Sequence, residues 1–294
     1  MAANQYKTTF VSALFDCHED VSDDDFNKNY YIARAVRVLM IKQPMIIFCN
    51  SKYTDIFTQI RNAFGYPDIT KIITTTLDTF RAASYKAELE NVYKHSPDNK
   101  KITPELYIMW MSKFEIMHKA MIDNPFNTSH FSWIDINLLM KTYNNSLNYI
   151  EDNVYDKINK IAENPKDLLT CQLINYWDPS YYANFGEFFK EYRWIVAGCF
   201  YTCHIDTGLF LLPKFMDKAE ELCRAGYCQG DEALFAFIID KYPEYFNLYI
   251  GDYQDVVNNY YATTSNQNYV QWILSRYMSA MHMDTGKFAR IRRS

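Results

Sequence analysis

The sequence predicts an α/β protein, a mostly parallel central sheet flanked by helices, and three observations carry that expectation. Met45–Cys49 (MIIFC) is a near-continuous apolar run of the kind buried on both faces of a parallel sheet. Segments with strand and helix character alternate through the first half of the chain. A long helix opening at Thr103 runs, after a short turn, into the strand that ends at Asp135.

Taken in order, Thr8–Phe15 (TTFVSALF) is a β-prone opening strand. The acidic stretch Asp16–Asp25 follows, with Ser22 and Asp25 spaced as a capping box for a helix from about Asp23 to Ile41. Phe26, Tyr30, Ala33 and Met40 give that helix an apolar side. The acidic stretch is no EF-hand, because the mid-loop glycine and the terminal Glu are missing. After the Met45–Cys49 strand a helix spans about Tyr53–Phe64 and stops at Gly65. Lys71–Thr76 reads as a third strand, and roughly Asp78–Lys94 as a helix.

Thr103 caps the next helix, with Pro104 in its first turn and Glu105 favourable to its dipole. Leu106, Trp110, Phe114, Met117 and Met121 mark its buried stripe. Residues 142–165 look helical, and Leu168–Ile174 and Trp194–His204 look like strands. Pro213 is expected to start a helix with Phe215, Met216, Ala219, Leu222 and Cys223 on one face, closed by Gly226. A further helix begins near Asp231, and Tyr245–Ile250 is a strand. No repeat or linker interrupts the chain, so one domain is expected over residues 1–294. Its two halves cover about 1–137 and about 138–285, followed by a basic tail at 286–294.

At 294 residues, with 49% hydrophobic and 22% charged, the chain has the profile of a soluble globular protein with ample core. Its net charge of −5 argues against nucleic acid as a partner; Lys287, Arg290, Arg292 and Arg293 are a local exception read as a tail. Seven cysteines, an odd number without a CxxC pair, indicate free thiols in a reduced, cytoplasmic setting (host cytoplasm or virus particle for a viral chain). Cys199, Cys203 and His204 lack zinc-finger spacing. No secretory opening and no transmembrane segment is expected, since no apolar run approaches ~18 residues. The 25 Tyr suit sugar stacking, but an AT-rich genome explains them equally well.

The chemistry concentrates at strand ends, where open α/β sheets bind ligands. Phe131–Asn137 (FSWIDIN) runs from a buried strand into Asp135 and Asn137. In an extended segment these two face the same way, so both oxygens can meet one hard cation, Mn²⁺ or Mg²⁺, at the strand's carboxyl end. Asp and Asn also begin ordinary turns. Phe15 and Asp16 end the first strand, and Ser12 lies on it. Lys113, at the edge of the helix stripe, could reach a phosphate or a sugar hydroxyl; the plain alternative is a snorkelling surface lysine. Asp231 as N-cap with Glu232 in the first turn needs no catalysis, while the functional reading makes one carboxylate a general base or a sugar ligand. Ala197-Gly198 is a small-residue break that permits close backbone approach or a bulge. His282 is a late histidine that could complete a metal site or simply edge the core.

The succession Met45–Cys49, Trp110-Met-Ser-Lys113-Phe114, Asn124-Pro-Phe126, Phe131-Ser-Trp-Ile-Asp135, Ala197-Gly198 and Gly230-Asp-Glu232 resembles the HtrL/YibB-type family. That bacterial and giant-virus group is related to GT-A glycosyltransferases, and the resemblance covers roughly residues 8–260. It implies a Rossmann-like GT-A fold, a divalent metal and a nucleotide-sugar donor, with UDP-sugars favoured. It also implies a nucleotide-sugar-binding first half and an acceptor second half. Asp135 would then be a metal or ribose ligand, and Lys113 a donor contact beside Ser12, Phe15 and Asp16. Trp110, Gly198 and the Asp231/Glu232 pair would serve substrate and acceptor. Asn137 departs from a strict Asp-x-Asp, and Glu232 stands where many GT-A enzymes carry Gln. The expectation is a metal-dependent glycosyltransferase acting on a glycan or other hydroxyl acceptor, with room for a homodimer. The alternative is a carbohydrate- or nucleotide-binding protein that kept the fold without the chemistry, and Asn137 favours it. A structural α/β protein without a ligand is the third reading.

Overall fold

The computed structural model describes residues 6–17, 28–94, 103–140, 154–163, 167–175, 185–189, 193–227, 230–251 and 256–262. The elements are β1 (Thr8–Leu14), α1 (Lys28–Leu39), β2 (Met45–Cys49), α2 (Ser51–Ala63), β3 (Thr70–Thr74), α3 (Lys86–Lys94), α4 (Pro104–Asp123) and β4 (His130–Ile134). They continue with α5 (Val154–Ala162), β5 (Leu169–Leu173), α6 (Phe185–Phe188), β6 (Val196–His204), α7 (Ile205–Arg224), α8 (Asp231–Lys241), β7 (Phe246–Ile250) and α9 (Val256–Ala262).

All seven strands form one sheet in the order β3-β2-β1-β4-β6-β5-β7. Every strand runs the same way except β6, which is antiparallel to both β4 and β5. The mostly parallel α/β architecture expected from the alternation is therefore present. Two apolar layers cover the sheet: α4, α7 and α8 pack on one face, and α1, α2, α5 and α9 on the other. Among the described residues no helix is long and apolar enough to cross a membrane.

Several ends follow from local chemistry. The Thr103 side chain accepts the Leu106 N–H at 3.1 Å, and its hydroxyl donates to the Cys17 carbonyl at 2.6 Å, tying the start of α4 to the segment after β1. Asn124 closes α4 in the left-handed region, φ 32°. Gly226, φ +84°, follows α7 as expected.

Other expectations shift. The helix placed at Asp78–Lys94 begins as 3-10 turns at Leu77–Thr79 and Arg81–Tyr85, with α3 only from Lys86. The Thr79 hydroxyl donates to the Thr76 carbonyl at 2.8 Å, a local bond that competes with α-helical pairing. On α1 the buried positions are Ala35, Val38 and Leu39, while Ala33 and Met40, assigned to its apolar side, are exposed. Pro213 lies inside α7 instead of starting it; His204 is the N-cap, its Nδ1 accepting from Asp206 N–H at 3.3 Å. The helix carries the proline because the carbonyl it leaves unbonded belongs to Leu209, an exposed residue. The capping box at Ser22 and Asp25, together with Phe26, His282 and the basic tail, lies outside the described residues.

One buried cation holds the α1–β2 turn. Arg61 in the last turn of α2 is fully buried and donates to the carbonyls of Leu39 (2.8 Å), Ile41 (2.7 Å) and Gln43 (3.0 Å) and to Thr70 Oγ1 (2.8 Å). A guanidinium at the end of α1 meets the carbonyls that a helix terminus leaves over. Arg61→Met is expected to cost about 3 kcal/mol or more in urea denaturation, since each stranded buried carbonyl costs roughly 1–3 kcal/mol. A loss below about 1 kcal/mol would show that water replaces the guanidinium.

Candidate functional site

Strand order reverses direction at β1. β1 and α1 lead to β2 on one side, whereas the chain after β3 crosses over to place β4 on the other. In doubly wound sheets the crevice at such a switch point, beyond the carboxyl ends of the strands, is where ligands bind. Asp16 follows β1 and Asp135 follows β4, so both flank it. Because β6 is reversed, its amino end lies at this same edge: the Asp135 N–H donates to the Cys199 carbonyl at 2.9 Å, which brings Gly198 beside β4's end.

The centre of the site is the ammonium of Lys113. Its Nζ lies 3.0 Å from Asp231 Oδ2, 3.2 Å from Asp135 Oδ1 and 3.2 Å from the Gly198 carbonyl. The Lys113 side chain is 5% exposed and that of Asp231 4%, against 20% for Asp135, so the cluster runs from the interior out to the rim. The reading of Lys113 as a snorkelling surface residue therefore does not hold. Burial alone would favour the neutral amine, but the charges of Asp135 and Asp231 outweigh it and hold the ammonium above the ordinary lysine range. Burial pushes the Asp231 carboxyl up and Asp135 adds to the effect, while Lys113 pulls it back.

Two neighbours shape this cluster. The Trp133 indole Nε1–H donates to Asp135 Oδ1 at 2.9 Å, and Lys113 Nζ stands 5.7 Å from the Trp133 ring centroid. At Gly198 a Cβ would overlap Asp231 Oδ2 and fall 2.9 Å from its Cγ and 3.2 Å from Glu232 Cγ. The small-residue break thus admits the Asp231 carboxylate to the strand backbone. Gly230 is the N-cap of α8, so Asp231 sits at its first helical position and not at the cap. Glu232 beside it is buried. The Tyr201 hydroxyl is buried near Asp231 and Asp135 without a hydrogen-bond partner among the described residues, and burial with those two carboxylates keeps it a neutral phenol.

The remaining candidates fall in different surroundings. β4 ends at Ile134, and residues 135–138 turn, with Leu138 N–H donating to Asp135 O at 2.9 Å. Asn137 is in that turn, so the same-side pairing with Asp135 expected of a continuing strand does not apply. The Ser12 hydroxyl is buried and donates to the Ile134 carbonyl at 2.6 Å, adding a rung beneath Asp135. Phe15 packs edge-on against Phe80, centroids 5.8 Å apart. Asp16 accepts the Tyr53 hydroxyl at 2.6 Å and pairs with Lys52, while its N–H donates to Asn50 Oδ1 at 2.8 Å. Trp110 is half-buried, its ring edge-on to Tyr107. Sequence reasoning passed over Asn50, Lys52, Tyr53, Trp133 and Tyr201. Only Trp133 carried a legible signal, standing two residues before Asp135 and hence on its side of the strand.

Among the described residues no group of three or more His, Cys, Asp or Glu could hold a metal ion. The donor set offers no all-protein cage; Asp135 at the rim is a single carboxylate that could serve a hard cation whose other ligands come from outside the protein.

Removing the ammonium strands the buried Asp231 carboxylate. Lys113→Met is expected to lose about 3–5 kcal/mol at pH 8. The loss should shrink toward pH 5, because a carboxyl such as Asp231 whose folded pKa lies above the unfolded value regains stability as pH falls toward protonation. Urea denaturation at both pH values checks this, and an equal loss at each would contradict it.

Among solved structures, mouse xyloside xylosyltransferase 1 in its apo form has a TM-score of 0.39 at 10% identity, over 83% of this chain and 84% of that one. Core-mannan synthase A (CmsA/Ktr4) from Aspergillus fumigatus, in an Mn/GDP form, scores 0.47 at 10% identity over 84% and 74%. The 4-diphosphocytidyl-2C-methyl-D-erythritol synthase of Anaerococcus prevotii scores 0.36 at 10% identity over 92% and 97%. Likeness at that level carries no argument about function. No curated protein matches the sequence. The family described as "Bacterial protein of unknown function (HtrL_YibB)" matches residues 7–262, most of the chain, and the chain belongs to that family.

Proposed function

We propose that this protein is a GT-A-type glycosyltransferase that moves a sugar from a nucleoside-diphosphate sugar to a hydroxyl acceptor, with Mn²⁺ or Mg²⁺ at the donor diphosphate. The observation that carries the reading is the joining of Asp135 and Asp231 through one buried ammonium at the sheet's switch point. Such a site has a donor side and an acceptor side a few ångströms apart, as group transfer between two substrates requires.

In this reading the nucleotide enters the crevice between β1 and β4, past Asp16, and its diphosphate lies toward Asp135. When bound, a divalent cation there would offset charge developing on the diphosphate; one unit-charge pair at ~4 Å in an effective dielectric near 20 contributes on the order of 4 kcal/mol. On the acceptor side Asp231, with Glu232 next to it, takes the proton of the attacking hydroxyl if the reaction inverts. The new bond forms between that oxygen and the anomeric carbon as the bond to the diphosphate breaks. If the reaction retains configuration, the same pair orients substrate. UDP-sugars are the first donors to test.

A second reading, a nucleotide-sugar-binding protein without turnover, is favoured by Asn137, which is neutral and lies in the turn. The two part on hydrolysis of a nucleotide sugar with Mn²⁺, which the enzyme performs and the binding protein does not. Asp135→Ala is expected to lower that hydrolysis on the order of a thousandfold in a protein that still folds, with some loss of melting temperature because Lys113 and Trp133 lose a partner. An Asp135→Ala protein that turns over donor at the wild-type rate removes the assignment.

A further inference from the structure

An ammonium has three N–H donors and no acceptor. At Lys113 two hydrogen bonds go to Asp231 Oδ2 and the Gly198 carbonyl, and Asp135 Oδ1 stands 3.2 Å from the ammonium as an ion pair. Asp135 Oδ1 accepts from the Trp133 indole, so this oxygen faces the protein interior. A lysine that binds a phosphate or a sugar hydroxyl directs an N–H at it; here two N–H groups are bound to protein oxygens and the ammonium is held against a third, on a side chain 5% exposed.

We infer that Lys113 is a positioning residue that fixes the Asp231 carboxylate relative to Asp135 without touching the donor, and that Gly198 is its counterpart, holding open the space Asp231 occupies. This deepens the glycosyltransferase reading and rests on it for its kinetic consequence, though the strut itself is independent of any substrate. The ammonium joins α4 to the end of β4, the start of β6 and the first turn of α8. Gly198 sets the last of these distances, since any side chain there displaces Asp231. Lys113→Met removes the strut and leaves the space; Gly198→Ala leaves the strut and fills the space. Both move Asp231, and neither removes Asp135.

The test compares Lys113→Met, Gly198→Ala and Lys113→Met/Asp231→Asn with the wild type. Kinetics use whichever UDP-, GDP-, CMP- or dTDP-sugar the wild type hydrolyses with Mn²⁺. Both single variants should lower kcat about a hundredfold, the loss typical of a misplacement near 1 Å, with donor KM within about threefold. Lys113→Met raising donor KM tenfold or more, with Gly198→Ala kinetically silent, would overturn the inference, for that pattern belongs to a direct donor ligand. Melting temperature supplies the arm that needs no activity. Adding Asp231→Asn to Lys113→Met should recover part of the lost stability by removing the stranded carboxylate, and no recovery would overturn the strut. A wild type inert toward every nucleotide sugar would sink glycosyl transfer, with the melting arm still deciding whether the strut exists.

Discussion

The structure at the sheet's carboxyl edge depends on one buried positive charge. A desolvated ammonium is tolerated only when it is hydrogen-bonded and its charge is balanced, and Lys113 has hydrogen bonds to Asp231 and Gly198 and an ion pair with Asp135, from three separate stretches of chain. The pairing spans 118 residues between α4 and α8, so it is a product of the complete fold.

Topology places that charge. With an all-parallel sheet the start of β6 would lie at the opposite edge from Asp135; its reversal puts Gly198 next to β4's end. Ser12 and Trp133 then hold that end in place, the first from β1 through the Ile134 carbonyl and the second from within β4 through Asp135 itself. The Arg61 cluster does comparable work away from the site, binding the α1–β2 turn that sets where β2 begins. Both use a buried cation to satisfy oxygens contributed by chain ends and turns. The Lys113 cluster reaches the crevice rim through Asp135.

Much of the framework was legible because it rests on local patterns. MIIFC reads as a buried strand, Thr103-Pro104 as a helix start, and Asp135 as a strand-end residue, and all three are so placed. The chemistry at Lys113 was not legible, because counting apolar positions on a helix treats lysine as surface, and its partners lie far along the chain. Almost the whole circumference of α4 is buried, including Tyr107, Met111 and Ser112, which a single stripe leaves out. Gly198 was visible as a small residue, but what approaches it required the position of α8. Asn137 misled because the two-residue period of a strand was extended past Ile134, where the chain turns. Pro213 misled because a preference for first helical turns is outweighed when the broken bond faces solvent.

The account's central claim is that the crevice between β1 and β4, opening onto Asp135, holds a nucleotide diphosphate. A crystal structure of the protein with UDP and Mn²⁺ tests it most directly. Density for the diphosphate is expected beyond the carboxyl ends of β1 and β4, with the cation against the Asp135 carboxylate. UDP bound elsewhere on the protein, or an empty crevice at saturating UDP and Mn²⁺, would contradict it.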